Sequence, residues 1–213
     1  MKTEIISFYS DVDGTSYYTD CANRLIGQLT ELEVPFDIRP KESLGTYQKN
    51  CLSKPLYILS MLEEKKKPVI WLDVDSTVMA TPEIFDTFEG NADIVVACAG
   101  PDIMSAKASP IYFAYNDKVK EFLGQWINIA QRLTEEEKWF DHEALLALIN
   151  TLRQDDTYSI KFVGNEYCVW PGHENDSTII LMGLSDAESK KSKLREMGFN
   201  EEQIQWQSPG IKK

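Results

Sequence analysis

The chain has 213 residues, 43% of them hydrophobic and 11% aromatic, with a formal net charge of -12 and a sequence pI near 4.7. A mean hydropathy of -0.33 and the lack of a long apolar run exclude a spanning helix, and the acidic balance excludes a nonspecific nucleic-acid binder, which needs cations to displace counterions from phosphate. At this length one domain burying roughly 70% of its unfolded surface is expected.

The amino terminus, with Lys2 and then Glu4 inside a strand-like run, is too short and polar for a signal segment. Cys21, Cys51, Cys98 and Cys168 are widely spaced with no C-x-x-C pair, which predicts reduced thiols in a cytoplasmic protein and makes zinc an unfavoured cofactor. Glu4–Tyr9 reads as a first strand, followed by a turn-rich segment at 10–15. Ala22, Leu25, Ile26, Leu29 and Leu32 form the apolar stripe of a helix over 20–32. A second strand is expected at 34–38, a polar loop at 41–48, and a helix at 51–62 with Pro55 in its first turn.

Val69, Ile70, Trp71 and Leu72 form an apolar, partly β-branched run that predicts a strand buried on both faces. Asp73 and Asp75 follow at its carboxyl end. Two carboxylates so placed repel each other unless a cation offsets them, and their oxygens suit Mn²⁺ or Mg²⁺. Further strands are expected at 93–99, 110–115, 159–163 and 178–182, with helices at 117–133, 140–152 and 186–197 and a polar tail from 200. The alternation predicts an α/β fold with a mostly parallel central sheet flanked by helices. Ligands of such sheets sit beyond the carboxyl ends of strands, the side expected to carry Asp11, Asp13, Asp73 and Asp75.

Two segments, Asp11-Val12-Asp13-Gly14-Thr15 and Asp73-Val74-Asp75-Ser76-Thr77, are similar to the first motif of haloacid-dehalogenase-type phosphatases. That resemblance implies a nucleophilic Asp73 or Asp11, Mg²⁺, and a later lysine for which Lys161 is the candidate. Its acidic motif is not matched, because Leu184 stands where the first Asp is expected.

A longer stretch resembles nucleotide-diphospho-sugar transferases of the GT-A fold: Lys54-Pro55-Leu56-Tyr57, then Pro68-Val69-Ile70-Trp71-Leu72-Asp73-Val74-Asp75, then Pro82-Glu83-Ile84-Phe85. The likeness continues weakly through 109–116 and Asp141-His142-Glu143. It implies a single GT-A-like domain over 1–213, with a nucleotide-sugar half at about 1–100 and an acceptor half at about 101–213. It further implies a metal-dependent glycosyltransferase that moves a sugar from a nucleotide-diphosphate donor to an unidentified hydroxyl of a glycan, protein, small molecule or modified nucleic acid.

In the site this resemblance implies, Asp73 and Asp75 hold the metal and Lys54 lies near the phosphates. Phe8 and Tyr9 flank the base, Asp11 and Asp13 line the nucleotide side, and Asp141 and Glu143 serve as sugar-binding or catalytic carboxylates. Asp141 equally suits a helix cap, and Phe8 equally suits core packing. Where many relatives carry a late metal-binding His, this chain has Met182, a poor ligand for a hard cation, so His173 or water is expected to complete the shell. Met182 also keeps open a nucleotide-sugar binder without turnover.

Overall fold

The computed structural model describes residues 1–11, 14, 16–100, 105–136, 141–153 and 157–183. The expected helix at 186–197, the polar tail, Asp13 and Leu184 lie outside the described residues.

The main sheet has strand order β2-β1-β3-β6-β5-β7, formed by β1 (Glu4–Tyr9), β2 (Phe36–Pro40), β3 (Val69–Trp71), β5 (Ile94–Cys98), β6 (Ala106–Phe113) and β7 (Ile160–Val163). Pairings β1–β2, β1–β3 and β5–β7 are parallel. Only β6 runs against its neighbours, β3 and β5. The sheet is therefore mixed but mostly parallel, as the alternation predicts. Every residue of β3 and β5 is buried, which explains their near-continuous apolar sequences.

From β1 the chain moves to β2 on one side and returns as β3 on the other. The crevice beyond the carboxyl ends of β1 and β3 is thus the switch point at which open α/β sheets bind ligands. Asp11 follows one of these strands and Asp73 the other.

Helix α1 (Tyr17–Glu31) starts three residues earlier than the helix expected over 20–32. The Asp11 carboxylate accepts from Tyr18 N at 2.9 Å and Thr19 N at 3.1 Å, satisfying amides of the first turn. The single helix expected at 51–62 is two helices, α2 (Tyr47–Leu52) and α3 (Lys54–Lys65). Thr46 caps α2 by accepting from Lys49 N, and Pro55 restarts the chain as α3, where its missing N–H does no harm. Ser53 ends one helix and begins the other.

The second strand begins at Phe36 rather than Val34, because Val34 N is spent on Leu29 O, closing the end of α1. The strand expected at 110–115 begins earlier, at Ala106. Helix α4 (Asp117–Glu136) buries Phe122 and Trp126, and α5 (Asp141–Leu152) buries Leu145 and Ile149. Helix α4 packs on α2, α3 and α5, while α1 packs on β1, β2 and β4 (Thr77–Val78).

The strand expected at 178–182 shrinks to β8 (Ile180–Leu181) and lies outside the main sheet, antiparallel to β4. All four cysteines are free. No helix among the described residues is long and apolar enough to cross a membrane.

The edge of the sheet near β2 is tied by ion pairs. Arg39 bridges Asp37 and Glu64, and Lys65 bridges Asp37 and Glu4. Hydrogen bonds from Arg39, and further ones from Lys65, overcome burial and hold Asp37 down at about 2, against an ordinary value of 3.8. A carboxyl with a depressed folded-state pKa stabilises the fold above its unfolded pKa and loses that contribution as the pH falls through the folded one. We expect acid titration of wild type to show stability falling between pH 3.8 and about 2, with a shallower fall in Asp37→Asn, read as denaturant midpoints.

Candidate functional site

After Trp71 the chain leaves the ladder. Asp73 N donates to Ser109 Oγ at 2.8 Å, and Ser76 N donates to Asp73 O at 3.0 Å to form a turn. The Asp73 carboxylate is held through Oδ1, which accepts from the Trp71 indole N–H at 2.8 Å and pairs with Lys54 Nζ at 2.9 Å. Its side chain is 38% exposed, so the remaining face of the carboxylate looks outward.

Lys54 occupies the first position of α3, where the helix dipole disfavours a cation, and its side chain is only 6% exposed. It pairs with both Asp73 and Asp141, donates to Ala108 O at 3.3 Å and lies 5.3 Å from the Trp71 ring centroid. Burial alone would lower its pKa. The carboxylates of Asp141 and Asp73 outweigh burial and hold it above the ordinary lysine range. Asp141 in turn sits in the first turn of α5, where a carboxylate is favoured, and is buried. Its Oδ2 pairs directly with Lys54 Nζ.

Asp75 faces the other way. Its charge raises the pKa values of Tyr17 and Cys21, in both cases behind burial as the larger cause. Arg24 Nη2 donates to the Asp75 carbonyl at 2.9 Å. The β4–β8 ribbon pairs Thr77 with Leu181 and Val78 with Ile180, and continuing that antiparallel register sets Asp75 opposite Gly183. A Cβ at Gly183 would stand 1.9 Å from the Asp75 carboxylate carbon. Gly183, rather than Met182, therefore meets the second aspartate, and the half-buried Met182 packs against the core.

Of the other residues singled out in the sequence, Phe8 is buried, with its ring 5.1 Å from Tyr57, 5.4 Å from Trp71 and under Lys41 Nζ at 4.6 Å. It supports Trp71 from below. Tyr9 is half-buried at the end of β1, and its carbonyl accepts from Lys41 N. Asp11 is committed to the start of α1. Glu143 is half-buried in the first turn of α5.

His173 is exposed in the loop before β8. No group of three or more His, Cys, Asp or Glu among the described residues is placed to hold a metal, so His173 does not join Asp73 and Asp75 in such a set. His142, beside Asp141, is pushed down to about 4 by burial and then by the charges of Lys107 and Lys54, and is neutral near pH 7.

Several contributors escape a reading of the sequence alone. Trp71 reads as a core residue, yet its N–H orients Asp73. Ser109, Arg24 and Gly183 lie 36, 51 and 108 residues from the aspartates they touch, separations that no local pattern marks.

Replacing Lys54 by Met leaves buried Asp141 and clamped Asp73 without their cation, which is expected to lower stability by about 3–5 kcal/mol. The double change Lys54→Met with Asp141→Leu should recover part of that loss in urea melts. Recovery of none would show that the two side chains are not coupled.

No protein-family profile matches the chain, and no curated protein matches it in sequence. Solved structures do match in shape. A glycosyltransferase involved in glycosylation of the major capsid of PBCV-1 superposes with a TM-score of 0.61 at 13% identity, over 92% of this chain and 99% of that one. The bifunctional glycosyltransferase WbbM matches with a TM-score of 0.56 at 12% identity, over 98% of this chain and 52% of that one. The glycosyltransferase GlyE of Streptococcus pneumoniae matches with a TM-score of 0.54 at 14% identity, over 88% of this chain and 55% of that one. The present chain thus spans about half the length of the last two. It has the GT-A fold seen in these glycosyltransferases.

Proposed function

We propose that the protein is a glycosyltransferase that takes a sugar from a nucleotide-diphosphate donor bound beyond β1 and β3, with Asp73 and Asp75 at the diphosphate. The observation that carries this reading is the clamp on Asp73. Groups from β3, α3 and β6 fix one carboxylate oxygen and the backbone of this residue at the switch point, and leave its outer face open.

The open face of Asp73 and the Asp75 carboxylate beside Gly183 are hard oxygen donors that would hold Mn²⁺ or Mg²⁺. Such a cation, when bound, neutralises charge on the departing nucleoside diphosphate.

The protein's own groups do the rest. Lys54 and the Trp71 N–H hold Asp73 in one orientation, so no reorganisation is needed as charge develops. Asp141 keeps Lys54 in place, and its ion pair with this buried ammonium makes it a positioning residue. Glu143, half-buried two residues further along α5, is the carboxylate proposed for the acceptor hydroxyl proton. Tyr17 and Arg24 line the Asp75 side, where the nucleotide lies.

A phosphatase reading fits the same residues less well. Its nucleophile would be Asp73, whose charge is already bound to Lys54, or Asp11, which is spent on α1. Lys161, the lysine that reading requires, lies on β7 paired with Val95, three strands along the sheet from β3.

Incubation with a panel of nucleotide sugars and Mn²⁺ should release free nucleoside diphosphate from one donor class. Asp73→Asn is expected to slow that release at least about 100-fold. Aryl-phosphate hydrolysis without release from any donor would overturn the proposal, and tight donor binding without release would leave a binding protein.

A further inference from the structure

Lys107 stands in β6 directly before Ala108, whose carbonyl accepts from Lys54, and two residues before Ser109, whose hydroxyl holds Asp73 N–H. Its ammonium lies 5.4 Å from the ring centroid of Trp170, in the loop that leads to β8. The same charge reaches His142, next to Asp141. Lys107 is half-buried and has no carboxylate ion pair among the described residues, whereas Lys54, Lys65, Lys67 and Lys120 each have at least one.

The indole face holds this ammonium in position but does not neutralise it. With no carboxylate paired to it among the described residues, this ammonium is available to an anionic ligand. In a protein of net charge -12, whose overall field repels anions, such a group is a local attractor.

The two sides of the site separate the anions that it can meet. Asp75 interacts with Tyr17, Cys21 and Arg24 of α1, the side given above to the nucleotide. Lys107 lies instead with Trp170 and near His142 at the start of α5. The acceptor is assigned to this part of the site because α1 and Asp75 are given to the nucleotide.

We propose that the acceptor is an acidic sugar whose carboxylate or phosphate is bound by Lys107, with Trp170 fixing the ammonium. This rests on the transferase reading and adds to it the chemical class of the acceptor. Charge-assisted hydrogen bonds from a partly buried ammonium discriminate an acidic ligand from its neutral counterpart.

The test titrates the full chain, followed by the Trp170 indole N–H resonance, with methyl glucuronide and methyl glucoside, which differ at one carboxylate. Inorganic pyrophosphate serves as the donor-side probe. The glucuronide is expected to bind about fivefold or more tightly than the glucoside. That preference should vanish in Lys107→Ala and persist in Lys107→Arg, with pyrophosphate binding unchanged in both. Equal binding of the two glycosides to wild type, including none, overturns the proposal, as does a preference that survives Lys107→Ala. Loss of pyrophosphate binding in Lys107→Ala also overturns it, by assigning Lys107 to the donor. Release of nucleoside diphosphate by wild type, measured separately, distinguishes failure of this assignment from failure of the transferase reading.

Discussion

The site depends on one buried ammonium. Lys54 is almost fully removed from water at the start of a helix, where both desolvation and the helix dipole oppose its charge. It remains charged because Asp73 and Asp141 approach it from β3 and α5. Those two elements are far apart in sequence, so the ion pairs fix their relative placement. A buried pair of this kind is no guarantee of net stability, since well-packed apolar residues often do as well. Its retention is better explained by the precision that it gives the Asp73 carboxylate.

The remaining parts follow from topology. The reversal of strand order at β1 opens a crevice where β3 ends, and the turn at Asp73 carries Asp75 across it. The short β4–β8 ribbon then folds the late loop back, so that a residue without a side chain meets the Asp75 carboxylate. The two aspartates, one residue apart, consequently face different surroundings. Asp73 is bound to a lysine and an indole, and Asp75 lies among Tyr17, Cys21 and Arg24. A 580 Å³ cleft lined by Lys66, Lys118 and Asn91 lies at the other end of the strands, away from these carboxylates.

The fold class was legible because β3 and β5 are continuous apolar runs, β1 is mostly apolar, and α1 and α4 carry strong apolar stripes. Its sheet order was not, since no local pattern states that β6 inserts antiparallel between β3 and β5. Proline at 55 was correctly placed in a first turn, yet the separate helix α2 before it rests on the Thr46 cap, a weak signal inside a polar loop. In the site, Lys54, Asp73 and Asp141 were all visible as candidates, but their mutual contact was not. That Lys54 ties two carboxylates together is a feature that only its burial reveals. Gly183 was hidden behind its neighbour Met182, because a missing side chain has no chemical signature until its surroundings are known.

The most direct test of the account is thermal melting with Mn²⁺ and a panel of nucleoside diphosphates, on wild type and on Asp75→Ala. A nucleotide at a hundred times its Kd stabilises the fold by about 2.7 kcal/mol, a shift of several degrees that melting resolves easily. The account predicts a shift for one base class that is lost in Asp75→Ala, with the melting point of the unliganded variant close to that of wild type. An equal shift in both proteins, or none with any nucleotide, would contradict it.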